Sequence, residues 1–188
     1  MSADHTKKEY SIFAIALNLM LACFVSGLVI AAVYFFTNPI AIKNAEQAKM
    51  DSMAVLVTAA DKFEPIQGHD TWFIATKGGE TIAYVVPGES KGYGGKIEML
   101  VAVDPDGKVI DFTILKANET PGLGDKAGAN DFRSRIQGKT AEALIVTKDP
   151  SNKDNVQAMT GATISSKAVT LGVQNAVKEV DEYTGGAK

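Results

Sequence analysis

The chain has 188 residues, a formal net charge of −3 and 46% hydrophobic residues, a size and balance that suit one membrane segment and one domain. Because the chain has no basic excess, nucleic acid is not expected as a partner. A single cysteine, Cys23, excludes an internal disulfide framework, and together with two distant histidines, His5 and His69, it makes no case for a metal centre.

The first predicted element is a long apolar helix near the N-terminus. Residues 10–42 contain no charged side chain, and the run at 12–36 is long enough as a helix to cross a hydrocarbon layer of about 30 Å. A cleaved signal peptide would have a shorter apolar region of roughly 7–15 residues. A lipoprotein-type cut before Cys23 would leave an apolar run on the mature protein. We therefore expect an uncleaved transmembrane helix at residues 11–37.

The charges that flank this helix bear on its orientation. Lys7 and Lys8, in the short polar segment 1–10, favour a cytoplasmic N-terminus. Lys43 and Lys49 lie close to the other end of the span, so the charge bias is small.

The segment after the membrane helix is predicted to be a helical connector at residues 38–62. Asn38-Pro39 predicts a break or a kink at the membrane exit. Residues 41–60 then show helical periodicity with an apolar face. The residues of that face are Met50, Met53, Ala54 and Val57.

Beyond the connector, strand-like runs alternate with turn signals. Residues 71–75 and 81–86 flank Lys-Gly-Gly-Glu, and residues 97–103 and 108–116 flank Asp-Pro-Asp-Gly, so each pair predicts a β-hairpin. The remaining predicted elements are a short helix, a strand and an amphipathic helix, at residues 130–136, 144–146 and 166–183. Strands followed by helices predict an α+β domain at residues 63–188, with an antiparallel sheet and flanking helices.

Two loops interrupt this scaffold. Residues 88–95 place glycines on both sides of Tyr93, which suits close backbone approach to a planar or anionic ligand. An ordinary glycine-rich surface loop is the alternative. Residues 118–126 contain Pro121-Gly122, a strong turn signal.

The stretch before the last helix carries a ligand-binding signal. Glycine and alanine at 161–162 let a ligand approach the backbone, and a helix N-terminus offers free N–H groups to a phosphate. Ser165 or Ser166 is a candidate N-cap, and Lys167 adds positive charge to the first turn. Thr163 therefore has a hydroxyl beside a candidate phosphate site. The alternative is a polar loop that does no more than cap the helix.

Three motifs in order, behind one N-terminal span, resemble the RnfG family. They are GYGG at residues 92–95, ETPGLG at 119–124 and TGAT at 160–163. The resemblance covers nearly the whole chain, and the last two motifs are specific in combination. Members of the family are FMN-binding subunits of the Rnf ferredoxin:NAD oxidoreductase complex. NqrC, of the sodium-pumping NADH:quinone oxidoreductase, is a related subunit that is usually longer.

The resemblance implies a covalently bound FMN. In the family, a flavin transferase joins FMN through a phosphoester to the last threonine of the S/T-G-A-T motif, which is Thr163 here. Gln157 stands where an acidic residue usually precedes the motif. No catalytic and no metal-binding residue is expected. The residues expected to bind FMN are Thr163, Thr160, Gly161, Ala162, Ser165, Lys167, Tyr93, Gly94, Glu119, Thr120 and Leu123.

The resemblance further implies an electron relay within a larger enzyme. The chain would be a membrane-anchored electron-transfer subunit of an ion-translocating oxidoreductase, with RnfA, RnfB, RnfC, RnfD and RnfE as partners and the flavin transferase for maturation. It would span the bacterial or archaeal cytoplasmic membrane once, in contact with lipid. Its N-terminus would be cytoplasmic and its FMN domain on the outer, periplasmic or extracellular, side.

Three other functions compete with this interpretation. The chain could be an NqrC-like subunit, or a membrane-tethered flavin-binding regulatory module without relay duty. An extracytoplasmic hydrolase with Thr163 or Ser165 as nucleophile is the third, but His69 is the sole histidine of the domain and no base is evident.

Overall fold

The computed structural model describes residues 11–185. The segment 1–10, with the lysines on which the charge-based orientation rests, lies outside the described residues. The chain divides between Ala48 and Lys49 into two compact units, each described by itself. The helices are α1 (Ile12–Leu56), a 3-10 helix (Gly124–Gly128), α2 (Asn130–Arg133) and α3 (Thr163–Thr184).

Helix α1 has 45 residues and begins with the apolar run. Within the described part of the chain it is the helix long and apolar enough to cross a membrane, and its most apolar window is wholly unburied. It continues through Pro39, so the chain does not break there. A proline removes one backbone hydrogen bond, which can bend a helix without ending it.

An antiparallel five-stranded sheet with the order β1-β2-β3-β4-β5 forms the centre of the second unit. Its strands are β1 (Lys62–Ile66), β2 (His69–Lys77), β3 (Glu80–Lys91), β4 (Lys96–Val103) and β5 (Val109–Lys116). Both predicted hairpins, β2–β3 and β4–β5, are confirmed, and so is the α+β class.

Two features of the sheet differ from the sequence-based expectation. Strand β1 was not predicted, because its charged residues and Pro65 are typical of an edge strand and do not alternate cleanly. Strand β3 includes residues 88–91, which were expected to lie in a loop. Gly88 allows this extension, since a Cβ there would lie 2.9 Å from the carbonyl oxygen of Gly172 on α3.

Helix α3 covers one face of the sheet. The predicted amphipathic helix is confirmed, because Val169, Val173 and Val177, spaced four residues apart, are all buried against the sheet. The helix begins at Thr163, three residues before the predicted start. In place of the strand predicted at 144–146, a strand begins two residues later as β6 (Val146–Thr147), which pairs in parallel with β7 (Val156–Gln157).

The other face of the sheet is covered by the end of α1. Met53, Leu56 and Val57 are buried in a cluster with alanine, valine and leucine side chains of β2, β3 and β4. The predicted apolar face was therefore partly wrong, since Met50 and Ala54 are exposed. The small side chains of Ala75, Ala83 and Ala102 on this face of the sheet leave room for the larger ones from the helix.

A partly buried ion pair fastens α2 to β5. The Arg133 guanidinium donates from Nε to Oδ1 of Asp111 at 2.9 Å and from Nη2 to Oδ2. The same Oδ1 accepts the backbone N–H of Phe112 at 2.8 Å. The hydrogen bond to Asp111 raises the pKa of Arg133 above its usual value, so the guanidinium stays charged at neutral pH.

We expect Asp111→Asn to lower the free energy of unfolding by about 2 kcal/mol, because it leaves the partly buried guanidinium without its counter-charge. Urea unfolding of the wild-type and variant proteins measures this difference. Glu64→Gln is the control: Glu64 pairs with Lys62 on the exposed strand β1. That change should cost less than about 0.5 kcal/mol. Equal effects of the two substitutions would contradict the role given to Asp111.

Candidate functional site

The three sequence motifs converge on one cleft of about 720 Å³ in the second unit. A volume of this size is typical of a small-molecule site, roughly 300–1,000 Å³. The cleft is lined by Tyr93, Thr120, Leu123, Gly124, Lys148, Gly161, Ala162, Thr163, Ile164 and Ser165. The structure thus brings together residues that lie up to 72 positions apart in sequence (Tyr93 to Ser165).

The other predicted site residues lie near the cleft or away from it. Thr160 lines an adjoining smaller cleft together with Gly161 and Thr163. Gly94 and Glu119 do not line the cleft; Glu119 bonds the lining residue Ser165, and Gly94 bonds Glu119. Lys167 is exposed and lines neither cleft.

The start of α3 has no side-chain cap. Its N-cap position is Ala162, with φ −133° and ψ 43°, and no side chain bonds the first-turn amides. The predicted cap at Ser165 or Ser166 was wrong, because both serines lie inside the first turn and their hydroxyls are used elsewhere. The N–H groups of the first turn are therefore available to an anion.

Ser166 closes the loop that precedes the helix. Its buried hydroxyl donates to the carbonyl oxygen of Ala162 at 2.9 Å and accepts the backbone N–H of Met159 at 3.0 Å. Gly161 turns this loop with φ +77°, and a Cβ there would lie 3.2 Å from Cδ2 of Leu123. A larger residue at 161 would thus be strained and would press on the cleft wall.

Glu119 links the three motif loops. Its Oε1 accepts the backbone N–H of Gly94 at 3.0 Å, and its Oε2 accepts the hydroxyl of Ser165. Glycines make room for this carboxylate: a Cβ at Gly124 would come within 2.7 Å of Oε2. At Gly94 a Cβ would overlap the backbone carbonyl of Asn118. Glu119 and Ser165 therefore bond each other and shape the cleft.

The opposite side of the motif loop is held by β6, β7 and one arginine. The backbone N–H of Ala158 donates to the carbonyl oxygen of Thr147 at 2.8 Å, which extends the β6–β7 pair. Nη1 of Arg135 donates to the carbonyl oxygen of Gln157 at 3.1 Å and to that of Ala158 at 3.4 Å. Gln157 thus contributes its backbone to fixing the approach to residues 160–163.

Exposed apolar side chains surround the mouth of the cleft. Tyr93 is 71% exposed, Ile164 56% and Leu123 44%. Large side chains of this kind become buried when a planar apolar ligand binds between them. Within residues 11–185 no group of three or more His, Cys, Asp or Glu side chains could hold a metal ion. The cleft therefore combines an anion site at the helix start with an apolar mouth.

The cleft residues that were not in the predicted FMN-binding set are Lys148, Gly124 and Ile164. Lys148 follows the two-residue strand β6, which has no periodicity to place it. Gly124 belongs to the predicted loop, but its proximity to Glu119 depends on the fold. Ile164 follows the motif directly, and helix α3, once begun at Thr163, turns its side chain toward the cleft.

We expect Glu119→Ala to lower the free energy of unfolding by about 1–3 kcal/mol, because it leaves the Gly94 amide and the Ser165 hydroxyl without their shared acceptor. Amide hydrogen exchange at residues 92–95 should also become faster. Chemical denaturation and exchange mass spectrometry measure the two effects. Asp125→Ala removes an exposed acid from the same loop and should change neither. Unchanged exchange at residues 92–95 in Glu119→Ala would contradict the linking role.

Comparison with known proteins finds a family match over the part of the chain that contains the three motifs. The family model of the FMN-binding domain matches residues 92–178, which contain all three motifs. The chain shares 23% sequence identity and a TM-score of 0.52 with the crystal structure of the C subunit of Na(+)-translocating NADH-quinone reductase from Parabacteroides distasonis. That alignment covers 62% of this chain and 63% of the other, and it shows a common fold.

Similarity to curated proteins extends over the whole chain. The chain is 58% identical to the G subunit of the proton-translocating ferredoxin:NAD(+) oxidoreductase complex of Clostridium ljungdahlii, over 96% of this chain and 97% of that protein. It is 34% identical to the G subunit of the Na(+)-translocating ferredoxin:NAD(+) oxidoreductase complex of Acetobacterium woodii, over 92% and 96% of the two chains. With the cleft, the motifs and a helix able to span a membrane, these identities show that the chain belongs to the RnfG family, which comprises the G subunits of ion-translocating ferredoxin:NAD(+) oxidoreductase complexes.

Proposed function

We propose that this chain is a single-pass membrane subunit that carries FMN, covalently joined to Thr163, and relays electrons within an ion-translocating ferredoxin:NAD(+) oxidoreductase complex. The observation that carries the proposal is the position of Thr163. This threonine lies at the uncapped start of α3 and lines the same cleft as the exposed side chains of Tyr93 and Leu123.

The cleft fits the two chemical parts of FMN. The first-turn amides of α3 suit the phosphate, since a helix N-terminus binds anions through its free N–H groups and its dipole. Gly161 and Ala162 keep side chains away from that position. The mouth formed by Tyr93, Leu123 and Ile164 suits the isoalloxazine ring, which would cover their apolar surfaces. A phosphoester to the Thr163 hydroxyl, a phosphoprotein-type linkage, would join the two parts.

The protein residues position the cofactor. FMN supplies the redox chemistry when bound. Glu119 fixes the loops that form the cleft. Ser166 and Arg135 each form hydrogen bonds with the backbone of the segment that leads into the TGAT motif. Since the residues around the mouth are exposed, the ring would remain accessible to neighbouring redox centres. This arrangement suits a relay between partners and does not require an acid–base catalyst in this chain.

Helix α1 is the proposed membrane anchor, and it determines where the chain and its partners are expected to lie. Helix α1 would cross the cytoplasmic membrane of a bacterium or archaeon and contact lipid, with the N-terminus in the cytoplasm and the FMN domain on the outer side. The other Rnf subunits, RnfA, RnfB, RnfC, RnfD and RnfE, are the proposed partners, and a flavin transferase would attach FMN. No Asp, Glu, Lys or Arg lies in the apolar run of α1, so other subunits would conduct the coupling ion.

We expect Thr163→Val to abolish covalent flavin while the domain still folds. Valine keeps the volume and β-branching of threonine but has no oxygen for an ester, and the lost polar contact should cost about 1 kcal/mol at most. In-gel flavin fluorescence of the denatured chain and peptide mass spectrometry measure attachment. Thr160→Ser keeps the S/T-G-A-T pattern and should keep the flavin. An unmodified Thr163 peptide from wild-type protein made with the transferase would contradict the proposal.

The same variant separates a relay from a regulatory module. Ferredoxin-driven NAD⁺ reduction in membranes with matched amounts of the whole complex should collapse in Thr163→Val, because a missing carrier leaves a gap in the electron path. Thr160→Ser membranes should retain turnover. Turnover of Thr163→Val membranes close to that of the wild type would mean that this domain has no relay duty.

We expect residues from about Asn38 onward to lie outside the cytoplasm, with the anchor uncleaved. Alkaline phosphatase fused to the C-terminus should be active in intact cells, whereas a green fluorescent protein fusion at the same position should not fluoresce. The same reporters at the N-terminus serve as the control and should give the reverse pattern. Terminal sequencing that finds a mature N-terminus inside the apolar run would exclude the anchor.

A further inference from the structure

We propose that Lys148 is the residue that pairs with the phosphate at Thr163, and thereby positions FMN in the cleft. This inference rests on the proposed function, because it concerns the phosphate of that FMN. The sequence pointed instead to Lys167, which follows Thr163 by one helical turn.

Lys148 lies where the two clefts around Thr163 meet. It lines the larger cleft together with Thr163, Gly161 and Ser165, and it lines the smaller cleft together with Thr163, Gly161 and Thr160. Among the described residues that line these two clefts, Lys148 is the sole one with a charged side chain. Lys148 thus shares both clefts with the threonine to which the phosphate would be joined.

The backbone around Lys148 is fixed relative to the motif. The preceding residue, Thr147, pairs with Gln157 in the β6–β7 register, and its carbonyl oxygen accepts the N–H of Ala158 at 2.8 Å. After Lys148, the N–H of Asp149 donates to the Thr147 hydroxyl at 3.1 Å. The bond from Ala158 therefore ties the residue before Lys148 to the strand that leads into the TGAT stretch, and the bond from Asp149 fixes the local turn around Lys148.

The ammonium group of Lys148 is free to bind an anion. Within the part of the chain that the structure describes, it makes no hydrogen bond or ion pair with another side chain. Other cations nearby are already engaged: Arg135 bonds Asp131 and two backbone carbonyls, and Lys139 bonds the carbonyls of Lys153 and Asp154. A lysine next to a phosphodiester forms charge-assisted hydrogen bonds, which are stronger than neutral ones.

The position of Lys148 complements the helix start. The first-turn amides of α3 approach the phosphate from the helix side, whereas Lys148 approaches from β6, across the motif loop. Lys148 and Lys167 are both exposed, but Lys148 lines both clefts and Lys167 lines neither. The pair formed by the helix start and Lys148 would hold the phosphate between two elements that the fold fixes independently.

The first test uses the full chain with its attached flavin and measures the reactivity of each lysine. Flavinylated wild-type protein and unflavinylated Thr163→Val are treated with an amine-acetylating reagent, and the modified peptides are quantified by mass spectrometry. Lys148 should react several-fold more slowly in the flavinylated protein. Lys153, which is exposed and outside both clefts, should react equally in the two proteins. Slower reaction of Lys167, with Lys148 unchanged, would overturn the proposal.

The second test distinguishes a contact of Lys148 with the phosphate from a contact with the flavin ring. Full-length protein made without the transferase is titrated with FMN and with riboflavin, which lacks the phosphate. In Lys148→Gln the dissociation constant for FMN should rise about tenfold, as expected for one lost charge-assisted hydrogen bond. Riboflavin binding should not change, and the control variant Lys153→Gln should bind both flavins as the wild type does.

The outcomes distinguish this inference from the proposed function. Equal weakening of FMN and riboflavin would place Lys148 at the ring and overturn the proposal, as would no weakening of either. If neither flavin binds the wild-type protein measurably, the lysine reactivities decide. Wild-type protein that carries no flavin on Thr163 even with the transferase would instead refute the proposed function.

Discussion

The carboxylate of Glu119 is the constraint on which the cleft depends. It accepts hydrogen bonds from the Gly94 amide and the Ser165 hydroxyl, so one side chain joins two loops and the first turn of α3. The glycines at 92, 94 and 124 follow from this arrangement, because a Cβ at any of them would collide with Glu119 or its neighbours. The glycines of the GYGG and ETPGLG motifs are thus required for packing in the cleft wall, whether or not they also contact a ligand.

Helix α3 serves both the core and the cleft. Its buried valines pack on the sheet, and this packing fixes the position and direction of the helix start. Polar contacts from Ser165 and Ser166 then hold the first turn against Glu119 and Met159. Because the N-cap position is Ala162, whose side chain has no hydrogen-bond acceptor, the first-turn amides are left without a side-chain cap. The helix gives up the usual capping contribution of about 1 kcal/mol, and an open anion site remains.

Much of the fold was predictable from the sequence because its signals are local. The hairpins have strong turn residues between alternating strands, and α3 has a clear apolar spacing at Val169, Val173 and Val177. The failures have a common cause in tertiary contacts. Nothing in the local pattern around Gly88 indicates that α3 packs against it and lets β3 continue. Likewise, the serines at the start of α3 have the local pattern of caps, and only the folded chain brings Glu119 close enough to compete for one of them.

The residues of the cleft, too, were predictable where their signals are local in sequence. The order of the three motifs identified the residues that meet at the cleft, and Tyr93, Thr120, Leu123 and Thr163 do line it together. Lys148 could not be found in this way, since a parallel pair of two-residue strands brings it to Thr163 across fifteen positions of chain. Residues that reach a site through such short non-local pairings leave no periodic signal.

The exposure of the cleft explains why a covalent link would suit this domain. Tyr93 is 71% and Leu123 44% exposed, so a ligand bound between them would stay partly open to solvent and its non-covalent affinity would be limited. A deeper cleft would hold the cofactor more tightly but would separate it from neighbouring redox centres. The proposed attachment to Thr163 would remove that conflict, because retention would no longer depend on burial. Under the proposed function, the covalent bond would retain FMN, and the open mouth of the cleft would leave its ring accessible to neighbouring redox centres.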